Sequence, residues 1–253
     1  MILDEFENGR AVIEPSLTDA TVYEVCDVMV MPFSSDIMAQ ILATGQARIG
    51  GYTHDINGAD PWYIYENKGL KVGVVMAEIG APVVVGLLEE LQAVGFKKFV
   101  IFGTCGVLDS KLCVDRLIVP TAAIRDEGTS YHYAPSSDEI LISKVFVEKM
   151  VTVFEKLNLS YTLAKTWTTD AFFRETAEKA KRRLAAGATV VDMECSAIQA
   201  WAQYRKKEVY QFFYTADEVD HENEKWDRRE AHKKVDVRHF FEIALKIAGE
   251  LDD

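Results

Sequence analysis

The chain has 253 residues, a formal charge of −12, 49% apolar residues, 27% charged residues and six prolines. At that length one hydrophobic core can bury roughly three quarters of the unfolded surface, and the composition excludes a disordered or fibrous chain. The negative charge disfavours nucleic acid and anionic membranes, which leaves a small molecule as the expected partner.

The N-terminus Met1-Ile2-Leu3-Asp4-Glu5 lacks the basic and apolar regions of a signal peptide, and runs such as Val83-Val84-Val85 are too short to span a bilayer. A cytoplasmic location without membrane contact is the expectation. Apolar runs predict strands at Val72 to Met76, Phe99 to Phe102, Leu117 to Val119, Val190 to Met193 and Val209 to Tyr214. Between the first two, Val84, Leu87, Leu88, Leu91 and Val94 mark a helix that begins at Pro82 and stops at Gly95. Further helical stripes are Phe146, Met150, Val153, Phe154 and Leu157, then Ala197, Ala200, Trp201 and Tyr204. The last is Val237, Phe240, Phe241, Ala244, Leu245 and Ala248. No linker, repeat or low-complexity tract divides the chain. The reading is one α/β domain over 1–253, a central twisted mixed sheet flanked by helices.

Ligands of such sheets gather where strands end, so the residues after each strand are the candidates. Gly103-Thr104-Cys105-Gly106 reads as a small-residue turn, either a plain connection or an anion site made of backbone N–H groups and the Thr104 hydroxyl. Thr168 to Arg174 sets Phe172 and Phe173 beside the Arg174 cation, as core or as a stacking platform for a planar base. Asp192-Met193-Glu194 enters a helix, where a carboxylate either complements the helix dipole or accepts hydrogen bonds from a vicinal diol. Asp217 follows the last strand and opens an acidic stretch with Glu218, Asp220, Glu222 and Glu224. It is either part of a solvated loop or an acid for a departing heterocycle.

Cys26, Cys105, Cys113 and Cys195 have no CxxC spacing and read as reduced, mostly buried thiols, and Cys105 with His132 reads as packing rather than a nucleophilic pair. With no HExxH helix either, no metal is expected.

Five ordered blocks resemble the nucleoside phosphorylase family, in particular its uridine phosphorylase-like branch. They are Ile79 to Pro82, Phe102 to Leu108, Arg125 to Gly128, Thr169 to Phe173 and Val191 to Ala197. The resemblance implies phosphate binding by Thr104, ribose binding by Met193 and Glu194, and base binding by Phe172; the residues beside them add Gly103 as a candidate for phosphate, Asp192 for ribose and Arg174 for the base. It also implies an acid at Asp217, no cofactor beyond inorganic phosphate as co-substrate, and a homo-oligomer, a dimer or a trimer of dimers, whose neighbouring subunit completes the site.

Two departures bear on the nucleophile. Pro32 to Ile37 replaces the family's Gly-Asp-Pro segment with its nearby arginine, and Ile101 stands where a second phosphate arginine is usual, which leaves Arg48, Arg125 and Arg174 as candidate substitutes. Thr176 and Glu178 occupy the places of the Gln and Arg that read uracil, which with Asp217 favours a purine. The expected activity is phosphorolysis of a nucleoside in purine or pyrimidine salvage. Hydrolysis by water and non-catalytic nucleoside binding are the alternatives.

Overall fold

Alternation of large apolar side chains along the strands sets up a sheet with two buried faces, and the helices divide between them. The computed structural model describes residues 2–17, 19–55, 58–112, 117–220, 225–227 and 238–251. Cys113, Glu222, Glu224 and Val237 lie outside the described residues.

In chain order the elements are β1 (Ala20–Val22), β2 (Val28–Pro32), α1 (Ser35–Ala43), β3 (Ala47–Asp55), β4 (Gly58–Asn67), β5 (Leu70–Val74) and α2 (Ala81–Val94). They continue with β6 (Lys98–Val107), β7 (Leu117–Asp126), β8 (Glu139–Leu141), α3 (Lys144–Lys156), β9 (Tyr161–Thr169) and α4 (Ala177–Ala185). The last are β10 (Ala188–Asp192), α5 (Cys195–Arg205), β11 (Glu208–Asp220), β12 (Lys225–Asp227) and α6 (Arg238–Gly249).

The sheet is mixed, in the order β1-β3-β4-β5-β2-β6-β10-β9-β7-β11-β12, with β8 on β7. Strand β6 runs parallel to β2 and β11 and antiparallel to β10. Because β6 also pairs with β11, the path β6-β10-β9-β7-β11 closes on itself. The candidate residues sit around this closed half.

On β6, Val100 and Phe102 join a core with Phe154 of α3 and Phe240 and Ile247 of α6, while Phe99 and Ile101 join Leu88 and Leu91 of α2 and Trp201 of α5. Such two-sided burial is why the strand reads as a continuous apolar run. Helix α5 differs from the amphipathic stripe expected of it: Cys195 through Ala202 are all buried. Its small residues let it pack on all sides.

Two expected turns are strand instead. Gly103 to Gly106 lie inside β6, which continues to Val107 by keeping its partners in β11 and gaining β10. A Cβ at Gly103 would stand 2.8 Å from the Phe33 Cβ, so this glycine makes room for a side chain rather than a turn. Likewise β11 runs past Thr215, and Asp217 lies within it. The register against β6 shifts between Thr215 and Asp217, a bulge that re-aims the following side chains.

Candidate active site

Strand β10 ends at Asp192, and the corner into α5 is held by that one side chain. Its Oδ1 accepts hydrogen bonds from the hydroxyls of Thr166 (2.8 Å) and Thr168 (2.9 Å) on β9. Its Oδ2 accepts from the backbone N–H groups of Glu194 (2.8 Å) and Cys195 (2.6 Å). These are the otherwise unpaired donors of a helix start, so Asp192 acts as the helix cap. Burial raises its pKa, and the four donors work against that rise.

With the corner fixed, Glu194 is 8% exposed and its Oε1 accepts a 2.7 Å hydrogen bond from the Gly80 backbone N–H. Gly80 has φ 106°, a conformation that favours glycine, and it precedes α2 with Pro82 in the first turn. The Ile79 to Pro82 and Val191 to Ala197 blocks therefore meet at Glu194. Burial and the charge of Asp192 push the Glu194 carboxyl up to about 8, against the pull of the Gly80 N–H.

The Arg125 to Gly128 block braces this corner from behind. Glu127 accepts from the Ser196 hydroxyl (2.8 Å) with one oxygen and from the Ser130 N–H (2.9 Å) with the other. Arg125 donates to Ser130, Ser137 and the carbonyls of Ala134 and Pro135, and lies 4.1 Å from the Tyr131 ring centroid.

Beside the corner is a cavity of about 490 Å³ lined by Thr104 and Gly103 of β6, by Asp192, Met193 and Glu194, by Phe172, and by Asp217 of β11. The Thr104 side chain is solvent-exposed there, unlike its buried neighbours Gly103 and Cys105. Phe172 and Phe173 contact each other at 4.0 Å between centroids in a short 3-10 turn after β9, and are 49% and 85% exposed. Asp217 Oδ2 accepts a 2.6 Å hydrogen bond from the Trp226 indole of β12.

Arg174 does not line the cavity, although its neighbours Phe172, Phe173 and Glu175 do. Nor do the other arginines considered for phosphate. Arg48 bonds Glu24 (2.8 Å) and Glu66 (3.3 Å), and Arg125 is spent on its loop. Ile101 is a fully buried core residue. Among the described residues, no lysine or arginine lines the cavity. Cys105 lines it and His132 does not, so the two form no nucleophilic pair there.

Three lining residues were not singled out from sequence. Phe33, from the segment that replaces Gly-Asp-Pro, packs on Gly103. Trp226 reaches the cavity from β12, and its signal was a lone aromatic among charges of both signs. Glu175 faces the cavity just before α4, and burial with the charge of Asp217 pushes its carboxyl up to about 7 against the attraction of Lys179. No sequence pattern marks it.

The family model described as phosphorylase superfamily matches residues 28–246. A uridine phosphorylase of Thermococcus kodakarensis is 29% identical over 106 residues, 42% of this chain and 38% of that protein. A guanosine phosphorylase of Halorubrum lacusprofundi is 27% identical over 135 residues, 53% and 56% of the two chains. A DeoD-type purine nucleoside phosphorylase of Brevibacillus brevis is 24% identical over 159 residues, 60% and 66% of the two. The matched segments thus span from about two fifths to just under two thirds of these relatives. The crystal structure of a Toxoplasma gondii purine nucleoside phosphorylase in complex with immucillin-H superposes with a TM-score of 0.77 at 18% identity, covering 90% of this chain and 92% of that one. That likeness speaks to the fold.

Proposed function

From the premise that the chain belongs to the phosphorylase superfamily, we propose that it is a nucleoside phosphorylase, a pentosyltransferase that converts a nucleoside, with a leaning to purines, and phosphate into free base and ribose 1-phosphate. The observation that carries the proposal is the convergence of Thr104, Met193, Glu194, Phe172 and Asp217 on one cavity. Cleavage of the glycosidic bond builds positive charge on the sugar and negative charge on the base. A site for it needs a carboxyl group at the hydroxyls, a platform and an acid at the base, and a donor for the incoming anion. Glu194 supplies the first, Phe172 and Asp217 the second, and Thr104 with the β6 backbone beside Gly103 the third. Met193 packs the sugar face, and Asp192 serves the ribose by fixing where Glu194 stands.

The reading includes a homo-oligomer, a dimer or a trimer of dimers, whose neighbouring subunit contributes to the phosphate site. The reading further places the enzyme in cytoplasmic nucleoside salvage, with phosphate as co-substrate, no other cofactor or metal, and no nucleic acid or membrane partner. Purified protein incubated with inosine, adenosine, guanosine and uridine, with and without phosphate, tests it. Phosphate-dependent base release is expected, and no release in any tube overturns the proposal.

Hydrolysis is the second reading. It is favoured by Phe33 against Gly103 and by the absence of lysine and arginine from the described cavity wall. Base release at an unchanged rate without phosphate would select it.

A further inference from the structure

The Arg125 to Gly128 block reaches both walls of the cavity. Arg125 and Glu127 both bond Ser130, and Asp126 between them points the other way, as alternate residues of extended chain do. The Asp126 Oδ2 accepts a 2.9 Å hydrogen bond from the indole N–H of Trp167 on β9, and it pairs with two cations of α4, Arg183 at 3.3 Å and Lys179 at 3.5 Å. Lys179 and Arg183 are four positions apart, which sets them on one face of the helix. The Arg183 guanidinium also lies 5.6 Å from the centroid of the Trp167 ring.

The backbone of the same residue holds the other end of this segment. The Asp126 carbonyl accepts from the Asp170 N–H (3.4 Å), and the Asp170 carboxyl accepts from the Gly128 N–H (3.0 Å). The chain that leaves β9 at Thr169 and continues into α4 is thus tied to the end of β7 on both sides of the turn that carries Phe172, Phe173 and Glu175 to the cavity. Little else anchors it. Residues 171–179 are all exposed or part-buried, and among the described residues Ala180 is the one buried position of α4. Local bonds transmit the position of α4 back to the turn: Thr176 accepts from the N–H groups of Lys179 and Ala180, and the Phe172 carbonyl accepts from the Glu175 N–H.

We infer that Asp126 is the positioning residue of the base-side wall, and that through Lys179 and Arg183 it fixes where the turn of residues 172–175 stands. Asp126 itself does not line the cavity. A helix with one buried alanine has few apolar contacts to hold it, so loss of the two ion pairs frees this segment more than it weakens the sheet beneath. A looser wall must be ordered by the ligand, which costs binding, while the reacting bond is set by the opposite wall. The inference rests on the phosphorylase reading only for which ligand meets the wall.

The test compares wild type with two variants. Asp126→Asn can still accept the Trp167 N–H but carries no charge for Lys179 and Arg183. The double variant Lys179→Gln, Arg183→Gln cuts the same pairs from the helix side and leaves the indole bond intact. Hydrogen exchange of residues 171–185, and kcat and KM for adenosine and inosine, are measured in each. Exchange of this segment should rise about fivefold in both variants, the scale of partly exposed ion pairs, with α5 unchanged. Wild-type exchange should approach that of the variants at about 1 M salt. KM should rise about three- to tenfold at nearly constant kcat, and the triple variant should add less than about twofold, because all three substitutions remove one contact. Segment exchange unmoved by both variants, a fall in kcat without a change in KM, or additive losses in the triple variant overturns the assignment. Loosening confined to residues 171–185 with no turnover of any nucleoside by wild type would sustain the positioning role and sink the phosphorylase reading. Turnover with segment exchange unmoved would do the reverse.

Discussion

Along the β10–α5 corner both oxygens of Asp192 are satisfied within the chain and Glu194 is 8% exposed. Along the wall formed by residues 172–175, Asp217 and Trp226, Phe172 is 49% and Trp226 57% exposed, and burial with the charge of Asp217 raises the Glu175 carboxyl. The first wall is preorganised by hydrogen bonds that exist before any ligand arrives. The second keeps unmet polar and apolar surface, which is what a ligand can satisfy. One wall is fixed and the other adaptable, and substitutions on each should fail in different ways.

Asp192→Ala should have the largest effect, because it strands two hydroxyls and two helix-start N–H groups in the interior. Hydrogen bonds to a charged group contribute roughly 1.5–3 kcal/mol each, so a loss of about 5 kcal/mol is expected even after relaxation. Urea unfolding reads it. A loss below about 1 kcal/mol would mean that the corner does not depend on its cap.

Next comes the pH dependence that Glu194 imposes. Its pKa stands at about 8 in the folded chain against an ordinary 4.5. For a group raised on folding, the stabilising contribution is complete below about 4.5 and is lost as pH climbs through about 8. Wild type should lose roughly 5 kcal/mol across that window relative to Glu194→Gln, which has no proton to release. Parallel curves of unfolding free energy against pH for the two proteins would refute the assignment.

Glu194→Ala should lower kcat/KM for ribosides by about 10²–10³, equivalent to roughly 3–4 kcal/mol, while binding of free base hardly changes. Equal weakening of riboside and base would contradict a sugar contact. On the other wall Phe172→Ala should raise KM for the nucleoside about tenfold with little change in kcat, the scale of one lost stacking contact. A fall in kcat of the same size would instead place the ring near the reacting bond.

The preorganised wall could be read in the sequence, and so could Phe172, Phe173 and Asp217 of the other. Asp192-Met193-Glu194 stands at the end of an apolar strand and the start of a helix, and local chain direction alone puts those residues at the cavity. Of the two meanings of an acidic helix start, the cap falls to Asp192, while Glu194 lines the cavity with one oxygen held by the Gly80 N–H. Thr104 was found for a reason that needed revision, since its segment is strand and Gly103 serves Phe33. Strands β3 and β4 left no clean alternation in the sequence because Gly50 and Gly51 interrupt the first and Pro61 the second. Glu175 was invisible because what marks it, partial burial beside Asp217, is produced by tertiary packing and leaves no periodic trace.

Arg174 gives the smallest expected effect and the sharpest test of how far the adaptable wall extends. Its neighbours in the 3-10 turn face the cavity, but its side chain is exposed and does not line it. The field of a solvated cation is screened within about 8–10 Å at physiological salt and has no desolvated partner to strengthen it. Arg174→Ala should therefore leave kcat/KM within about twofold, or below roughly 0.5 kcal/mol, at 150 mM salt. A tenfold loss would bring the guanidinium back to the base, and loss that vanishes at 1 M salt would assign it to attracting an anionic substrate rather than to holding it.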